Sequence, residues 1–161
     1  MPVEKVVLNA SPFILLCNSE LEFILPKLFS KIVIPVAVWQ EVETGSHLDR
    51  AAQRLSDLVW LGKESITPVP DVVRWDLGVG ETEVLSFAIR HNDYTPIVDD
   101  LLAKKCARSL GLQTMGTGTI LILAKERGLI RSVEHSLREL QRIGLWISEP
   151  IIQMLKFEAG E

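Results

Sequence analysis

Tyr94-Thr-Pro-Ile-Val-Asp-Asp-Leu-Leu-Ala103 holds a complete strand-to-helix junction. Pro96, Ile97 and Val98 read as a short buried strand, two carboxylates follow at once, and Leu101 to Leu110 carries helical spacing. Open α/β sheets place their ligands outside the carboxyl ends of the strands, so Asp99 and Asp100 stand where such a sheet presents a site. Either one also suits the N-cap of the following helix, because a carboxylate accepts the N–H groups that a first turn leaves without partners. One cap suffices, which leaves the second acid to be explained.

Working outward, the same alternation recurs. Lys5-Val-Val-Leu-Asn9 is a first strand, apolar without alternation and therefore buried on both faces. Ser11 before Pro12 has the form of an N-cap and first helical residue, with Phe13 to Leu16 as a brief apolar turn. Ser19 and Glu22 have capping-box spacing for a helix over 21–29. Ile32-Val-Ile-Pro35 is a second strand, and Val36 to Thr44 a helix stopped by Gly45. Its wheel sets Glu41 between Ala37 and Val38, pointing inward, with Glu43 on the far side. Leu48 to Val59 reads as an amphipathic helix ending near Gly62, and the two prolines of 65–71 mark a loop or an edge strand.

Gly78-Val-Gly-Glu-Thr-Glu83 opens a helix over 82–91 whose wheel puts Glu81 amid Val84, Leu85 and Ala88, and Glu83 with Ser86 and Arg90 on the polar side. Beyond the acid pair and its helix, Gly111 is a stop and Leu112 to Met115 a weak further strand. Gly116-Thr-Gly-Thr119 precedes a helix over 120–127, Gly128 ends it, Ser132 caps another through Ile143, and Ser148-Glu-Pro150 starts the last. Strand and helix in alternation predict a mostly parallel sheet with helices on both faces.

The 161 residues suit one domain, 1–161, and their 47% hydrophobic and 24% charged content is globular rather than disordered. No apolar run approaches the ~20 residues of a membrane helix, and no secretion signal leads the chain, so a cytoplasmic protein without a membrane partner is expected. Cys17 and Cys106 lie in apolar or helical runs and read as buried thiols rather than a disulfide or metal pair. A net charge of -4 speaks against a binder that works by displacing counterions over a large footprint, although not against a nuclease that reaches phosphate through metal ions. His47, His91 and His135 lack ligand spacing, Gly78-Val-Gly-Glu lacks the Lys-Ser/Thr ending of a phosphate loop, and no Gly-x-Ser-x-Gly elbow occurs.

Asn9, Glu41, Glu81 and Asp99-Asp100 are thus delivered toward one end of the sheet. Oxygen donors without His or Cys suit a hard cation, Mg²⁺ or Mn²⁺, that keeps sites for water and phosphate. Taken singly, each residue has a plainer reading: a helix cap for either aspartate, a favourable charge at a helix N-terminus for Glu81, a lysine partner for Glu41, a turn former for Asn9. Their joint placement favours a site. Thr117 serves either as a helix cap or, through its hydroxyl, as a phosphate contact, and Lys104 with Lys105 and Arg108 forms either a solvated face or a contact to RNA backbone.

Val7-Leu-Asn-Ala-Ser-Pro-Phe-Ile14, Ile34-Pro-x-x-Val38 with Glu41, Gly80-Glu-x-Glu83 leading to Ala88, Ile97-Val-Asp-Asp100, and Gly116-Thr with Ala124-Lys-x-x-Gly-Leu-Ile130 together resemble the PIN-domain superfamily, in its VapC-like toxin branch. The resemblance implies a three-layer α/β/α sandwich and an endoribonuclease dependent on Mg²⁺ or Mn²⁺, usually a homodimer and often neutralised by a small antitoxin protein. Carried over, Glu41 is its acid after strand two, Glu81 the acid opening the middle helix, and Asp99 or Asp100 the acid ending the following strand. Together with the reading of the residues this makes Glu41, Glu81, Asp99 and Asp100 the expected catalytic acids, Asn9, Glu81, Asp99 and Asp100 the expected metal ligands, and Ser11, Thr117 and Lys104 the expected substrate contacts. In one respect the chain departs: the first strand of that family usually ends in Asp, and here in Asn9. An amide oxygen can ligate a cation but brings no charge and cannot act as a base. Weakened metal affinity follows, and with it a second expectation, a weakly active or inactive module that binds a protein or RNA partner.

Overall fold

The structure, a computed structural model, describes residues 3–45 and 50–161. The elements are β1 (Lys5–Leu8), α1 (Ala10–Asn18), α2 (Ile24–Leu28), β2 (Lys31–Pro35), α3 (Val36–Glu43), α4 (Arg50–Arg54) with a 3₁₀ turn (Leu55–Asp57), and β3 (Leu61–Glu64). They continue through α5 (Pro70–Val73), α6 (Val79–Arg90), β4 (Tyr94–Ile97), α7 (Leu101–Ser109), α8 (Thr117–Glu126), α9 (Val133–Ile143) and α10 (Glu149–Glu158). The strands pair in parallel in the order β3-β2-β1-β4. Helices cover both faces in a three-layer α/β/α sandwich. α6 packs on β1, β2 and β4 beside α3 and α5, α2 lies between β2 and α8, and α9 and α10 close over α8.

The order of the strands decides where a ligand can sit. From β1 the chain winds outward to β2 and β3, then returns to place β4 on the other side of β1. Between β1 and β4 the connections leave in opposite directions, which opens a crevice at the carboxyl ends of these two strands. Leu8 is level with Ile97 there, so Asn9 leaves its strand level with Val98 and Asp99 follows one residue further along the neighbouring strand.

Several local expectations are corrected. α1 begins at Ala10 with Asn9 as N-cap, not Ser11, and runs unbroken through the expected turn at Phe13 to Leu16; Pro12 sits in its first turn, where a missing N–H costs nothing. Ser19 and Glu22 form no capping box. The Ser19 hydroxyl donates to the carbonyls of Leu15 and Leu16 at the end of α1, and buried Glu22 accepts from Arg50 at 2.7 Å with Arg54 at 3.3 Å. The amphipathic helix expected over 48–59 is only α4 and its 3₁₀ turn; its proposed start at Leu48, like His47, lies outside the described residues. Leu61-Gly-Lys-Glu64, expected to be the end of that helix, is the edge strand β3, with only Leu61 buried.

α6 starts at Val79, a turn earlier than expected, and Ser86 on its supposed polar side is fully buried, accepting from the Val69 N–H at 2.9 Å because the 65–69 segment covers that face. α8 starts at Thr117 with Gly116 as its cap, not at Ile120. The weak strand at 112–115 is a single parallel bridge from Met115 to Ile97. Other readings agree with the structure: Ser132 caps α9 through the His135 N–H, Gly111, Gly128 and Gly144 follow their helices with positive φ, and Cys17 and Cys106 are buried. Among the described residues no helix is long and apolar enough to cross a membrane.

Glu161 ties α10 back to the fold. Its carboxylate accepts from the Val133 N–H at 2.6 Å, the Glu134 N–H and the Ser132 hydroxyl at 3.1 Å each, and Lys125 Nζ at 2.9 Å. Burial opposes its ionisation, but the ammonium and the three donors outweigh burial and hold its pKa down to about 2, from an ordinary 4.5. A depressed carboxylate stabilises the fold above its unfolded pKa and loses that contribution as pH falls through the folded value. Glu161→Ala is expected to cost about 1–2 kcal/mol at pH 7, the scale of a lost helix cap. In thermal unfolding scans the gap to wild type should close between pH 4.5 and 2; a gap that persists at the acid end would show that charge is not its source.

Candidate active site

Asn9 follows β1 directly. Its N–H donates to the Ile97 carbonyl at 3.1 Å, which continues the sheet pairing, and the side chain is only 4% exposed. Nδ2 makes a long contact to Glu81 Oε1 at 3.4 Å, the side chain does not cap α1, and buried Oδ1 has no hydrogen-bond partner among the described residues. An unsatisfied buried acceptor costs roughly 1–3 kcal/mol, so this oxygen is oriented for a donor or a cation.

The two aspartates divide the alternatives between them. Asp100 is the N-cap of α7, accepting from the Ala103 N–H at 2.9 Å. Asp99 caps nothing on its own helix. Its Oδ1 accepts from the Thr117 N–H at 2.8 Å and its Oδ2 from the Thr117 hydroxyl at 2.5 Å, so the start of α8 fixes the carboxylate. Thr117 is fully buried with both groups engaged. It orients Asp99 rather than facing substrate, and this corrects both readings of its hydroxyl.

Glu81 reaches the crevice from the first turn of α6 and folds back over Gly78, where a Cβ would collide with its Oε2. Glu41, expected to point inward, is an exposed residue whose partly desolvated carboxylate ends on Gly80 of α6, where a Cβ would collide with its Oε1. Gly78-Val-Gly-Glu is therefore a seat for two carboxylates. Burial first, and the neighbouring charge of Glu81 second, push the Glu41 carboxyl above its usual range, against a lowering contact from the Gly80 backbone. Glu83, expected on the solvent side, accepts from the Ala37 N–H at 3.3 Å and joins α6 to the start of α3.

Asn9, Ser11, Glu81, Asp99 and Asp100 line one cleft of about 530 Å³. Glu41 lies outside this lining, and Lys104 lines the next hollow with Arg108, its Nζ and Asp99 Oδ1 both lying against Gly116. The same cleft is lined also by Leu101, Leu145 and Trp146, which no sequence motif marked. The one signal was an apolar triplet, Leu145-Trp-Ile147, after the Gly144 stop, where a connection is ordinarily polar.

The donor set fits a hard cation in a particular way. No three of the described His, Cys, Asp and Glu side chains stand close enough to hold an ion among themselves. The unpartnered amide oxygen of Asn9, beside Glu81 and Asp99, adds a neutral oxygen to two carboxylates. Mg²⁺ accepts such a sparse set, since it keeps most of its coordination for water and phosphate.

A doubly wound α/β protein with hard oxygen donors in its switch-point crevice is the class that fold and site define together. A family model for the PIN domain matches residues 5–161, and the chain belongs to that family. PIN domains are generally nucleases, and PIN nucleases generally use divalent metals. No curated protein matches the sequence.

Proposed function

We propose that the protein is a divalent-metal-dependent endoribonuclease, one PIN domain over 1–161, in which Asn9 Oδ1, Glu81, Asp99 and Asp100 hold Mg²⁺ or Mn²⁺. The observation that carries this reading is the buried, unpartnered Asn9 oxygen beside Glu81 and Asp99 at the switch point of a PIN fold. When bound, the metal supplies Lewis-acid polarisation of the phosphodiester and a water of lowered pKa. The protein supplies position. Thr117 presents Asp99 in one orientation, Asp100 keeps one carboxylate oxygen for its cap, and Glu41, seated on Gly80, acts through Glu81 as a positioning residue. The N-terminus of α1, which the Asn9 side chain leaves uncapped, and the exposed Ser11 hydroxyl suit a phosphate oxygen. Lys104 then takes the neighbouring phosphate.

The order of the VapC-like motifs supports a cytoplasmic toxin, a homodimer held in check by a small antitoxin. A weakly active or inactive binding module is the second reading, favoured by the missing first-strand carboxylate. Cleavage of a fluorogenic single-stranded RNA should require Mn²⁺ or Mg²⁺ and be abolished by EDTA. The triple change Glu81→Gln, Asp99→Asn, Asp100→Asn should remove it. If the triple variant keeps metal-dependent cleavage, the site is wrongly placed; a wild type that binds RNA without cutting it would favour the module.

A further inference from the structure

Trp146 differs from the other three tryptophans. Trp39, Trp60 and Trp75 are half-buried and pack against the core, whereas Trp146 is 98% exposed. Its backbone is nonetheless braced on both sides. Gly144, at φ 130°, closes α9, the Leu145 N–H donates to the Leu140 carbonyl at 2.8 Å, and Gln141 Nε2 donates to the Ile147 carbonyl at 3.3 Å. The connection between α9 and α10 thus holds an indole in solvent at the rim of the cleft that Asn9, Glu81 and Asp99 also line. Leu101, itself 73% exposed, lines the same cleft.

We infer that Trp146 is a stacking platform for one base of a single-stranded RNA whose adjacent phosphate lies among Asn9, Glu81 and Asp99. This rests on the ribonuclease reading above. An aromatic face can take only an unpaired base that is free to leave its own stack, so the platform selects single strands over duplex. Lys104 and Arg108 line a further hollow without an ion pair among the described residues, and Lys104 Nζ shares Gly116 with Asp99. A strand crossing the site therefore meets an aromatic face for a base, hard oxygen donors at the reacting phosphate, and free cations for the phosphate beyond.

Because the indole supports nothing in the core, Trp146 variants should fold. The test is the affinity of a fluorescent single-stranded RNA, followed by anisotropy with Ca²⁺ in place of Mn²⁺ and with the strand checked to be intact afterwards, for wild type and for Trp146→Ala, Trp146→Leu and Trp146→Phe. Alanine should weaken binding about 5- to 100-fold, the range for one stacked base. Phenylalanine should stay within about threefold of wild type and leucine should resemble alanine, since stacking needs a ring. In cleavage assays the loss should fall on KM with kcat preserved, and duplex binding should be indifferent to all three changes. Equal affinities for wild type and Trp146→Ala, rescue by leucine as good as by phenylalanine, or a change in sedimentation that assigns the indole to a protein interface would each overturn the inference. The two readings fail separately. Wild type that cleaves while the Trp146 variants match it removes the platform alone, and wild type that binds through Trp146 without cleaving removes the ribonuclease alone.

Discussion

Asp99→Asn should reduce metal-dependent RNA cleavage by about 10³-fold or more, roughly 4 kcal/mol of transition-state stabilisation, while leaving the fold intact. The substitution is nearly isosteric. Its remaining carbonyl oxygen can still accept from the Thr117 N–H, and its amide can donate to the Thr117 hydroxyl, which reverses its role from donor to acceptor. The start of α8 therefore keeps its tether, and what disappears is a negative charge on the cleft that Asn9 also lines. Thermal unfolding with EDTA present should shift by no more than a few degrees, whereas stabilisation by Mn²⁺ should largely vanish. Thr117→Val makes the complementary change, because it keeps the charge but frees the carboxylate to rotate. An intermediate loss, near tenfold, is expected there. If Asp99→Asn retained activity within a factor of ten, Asp99 would be a tether for α8 and not a metal ligand.

The helices explain how so many acids are tolerated at one end of a sheet. The N-cap positions of α1, α6 and α7 are Asn9, Gly78 and Asp100, so each helix presents the positive end of its dipole at or beside the cleft. Every one follows the carboxyl end of a strand or the loop beside it, as parallel winding requires. The acids need no buried arginine, which would compete with a cation for the same oxygens. The ion pairs of buried Glu22 with the partly exposed Arg50 and Arg54 stand elsewhere, joining the link after α1 to α4.

What was legible in the sequence follows how local each signal is. Asp99-Asp100 declared itself because an apolar triplet precedes it and helical spacing follows within four residues of chain. Glu81 was found because a wheel needs only its own helix. Glu41 satisfied the same wheel and was misdirected, because a wheel fixes where Cβ points and not where a long side chain ends once the neighbouring helix presents a glycine. β3 was hidden for a different reason. As an edge strand with one buried residue it has no apolar alternation, and Gly, Lys and Glu are poor strand formers, so pairing with β2 alone defines it. Ser19 and Glu22 have a capping box's spacing without its contacts, since Arg50 and Arg54, far along the chain, claim the glutamate. Thr117 was singled out for the wrong contact and Trp146 was missed, because the role of each depends on what the packing of α8 and α9 brings it to, Asp99 for the one and the cleft for the other.

Asn9→Asp tests the departure from the family's usual first-strand residue, and its effect should change sign with metal. Without a cation, the substituted side chain would lose the contact from Nδ2 to Glu81 Oε1 and set a second carboxylate against the first in a site that is 4% exposed on the Asn9 side. Like charges raise one another's pKa, and a carboxylate whose folded pKa is raised destabilises the fold once pH exceeds its unfolded value, about 3.9. The metal-free variant should therefore match wild type near pH 4 and fall behind by about 1–3 kcal/mol at pH 7. With Mn²⁺ the same charge becomes a ligand. Titration calorimetry should show affinity rising about tenfold or more, since charge count tunes such sites, and unfolding scans should show a larger metal-induced shift than in wild type. Cleavage should rise with it. If Asn9→Asp left Mn²⁺ affinity unchanged, Oδ1 would not be a ligand, and its burial without a partner would have to be explained by something other than a metal.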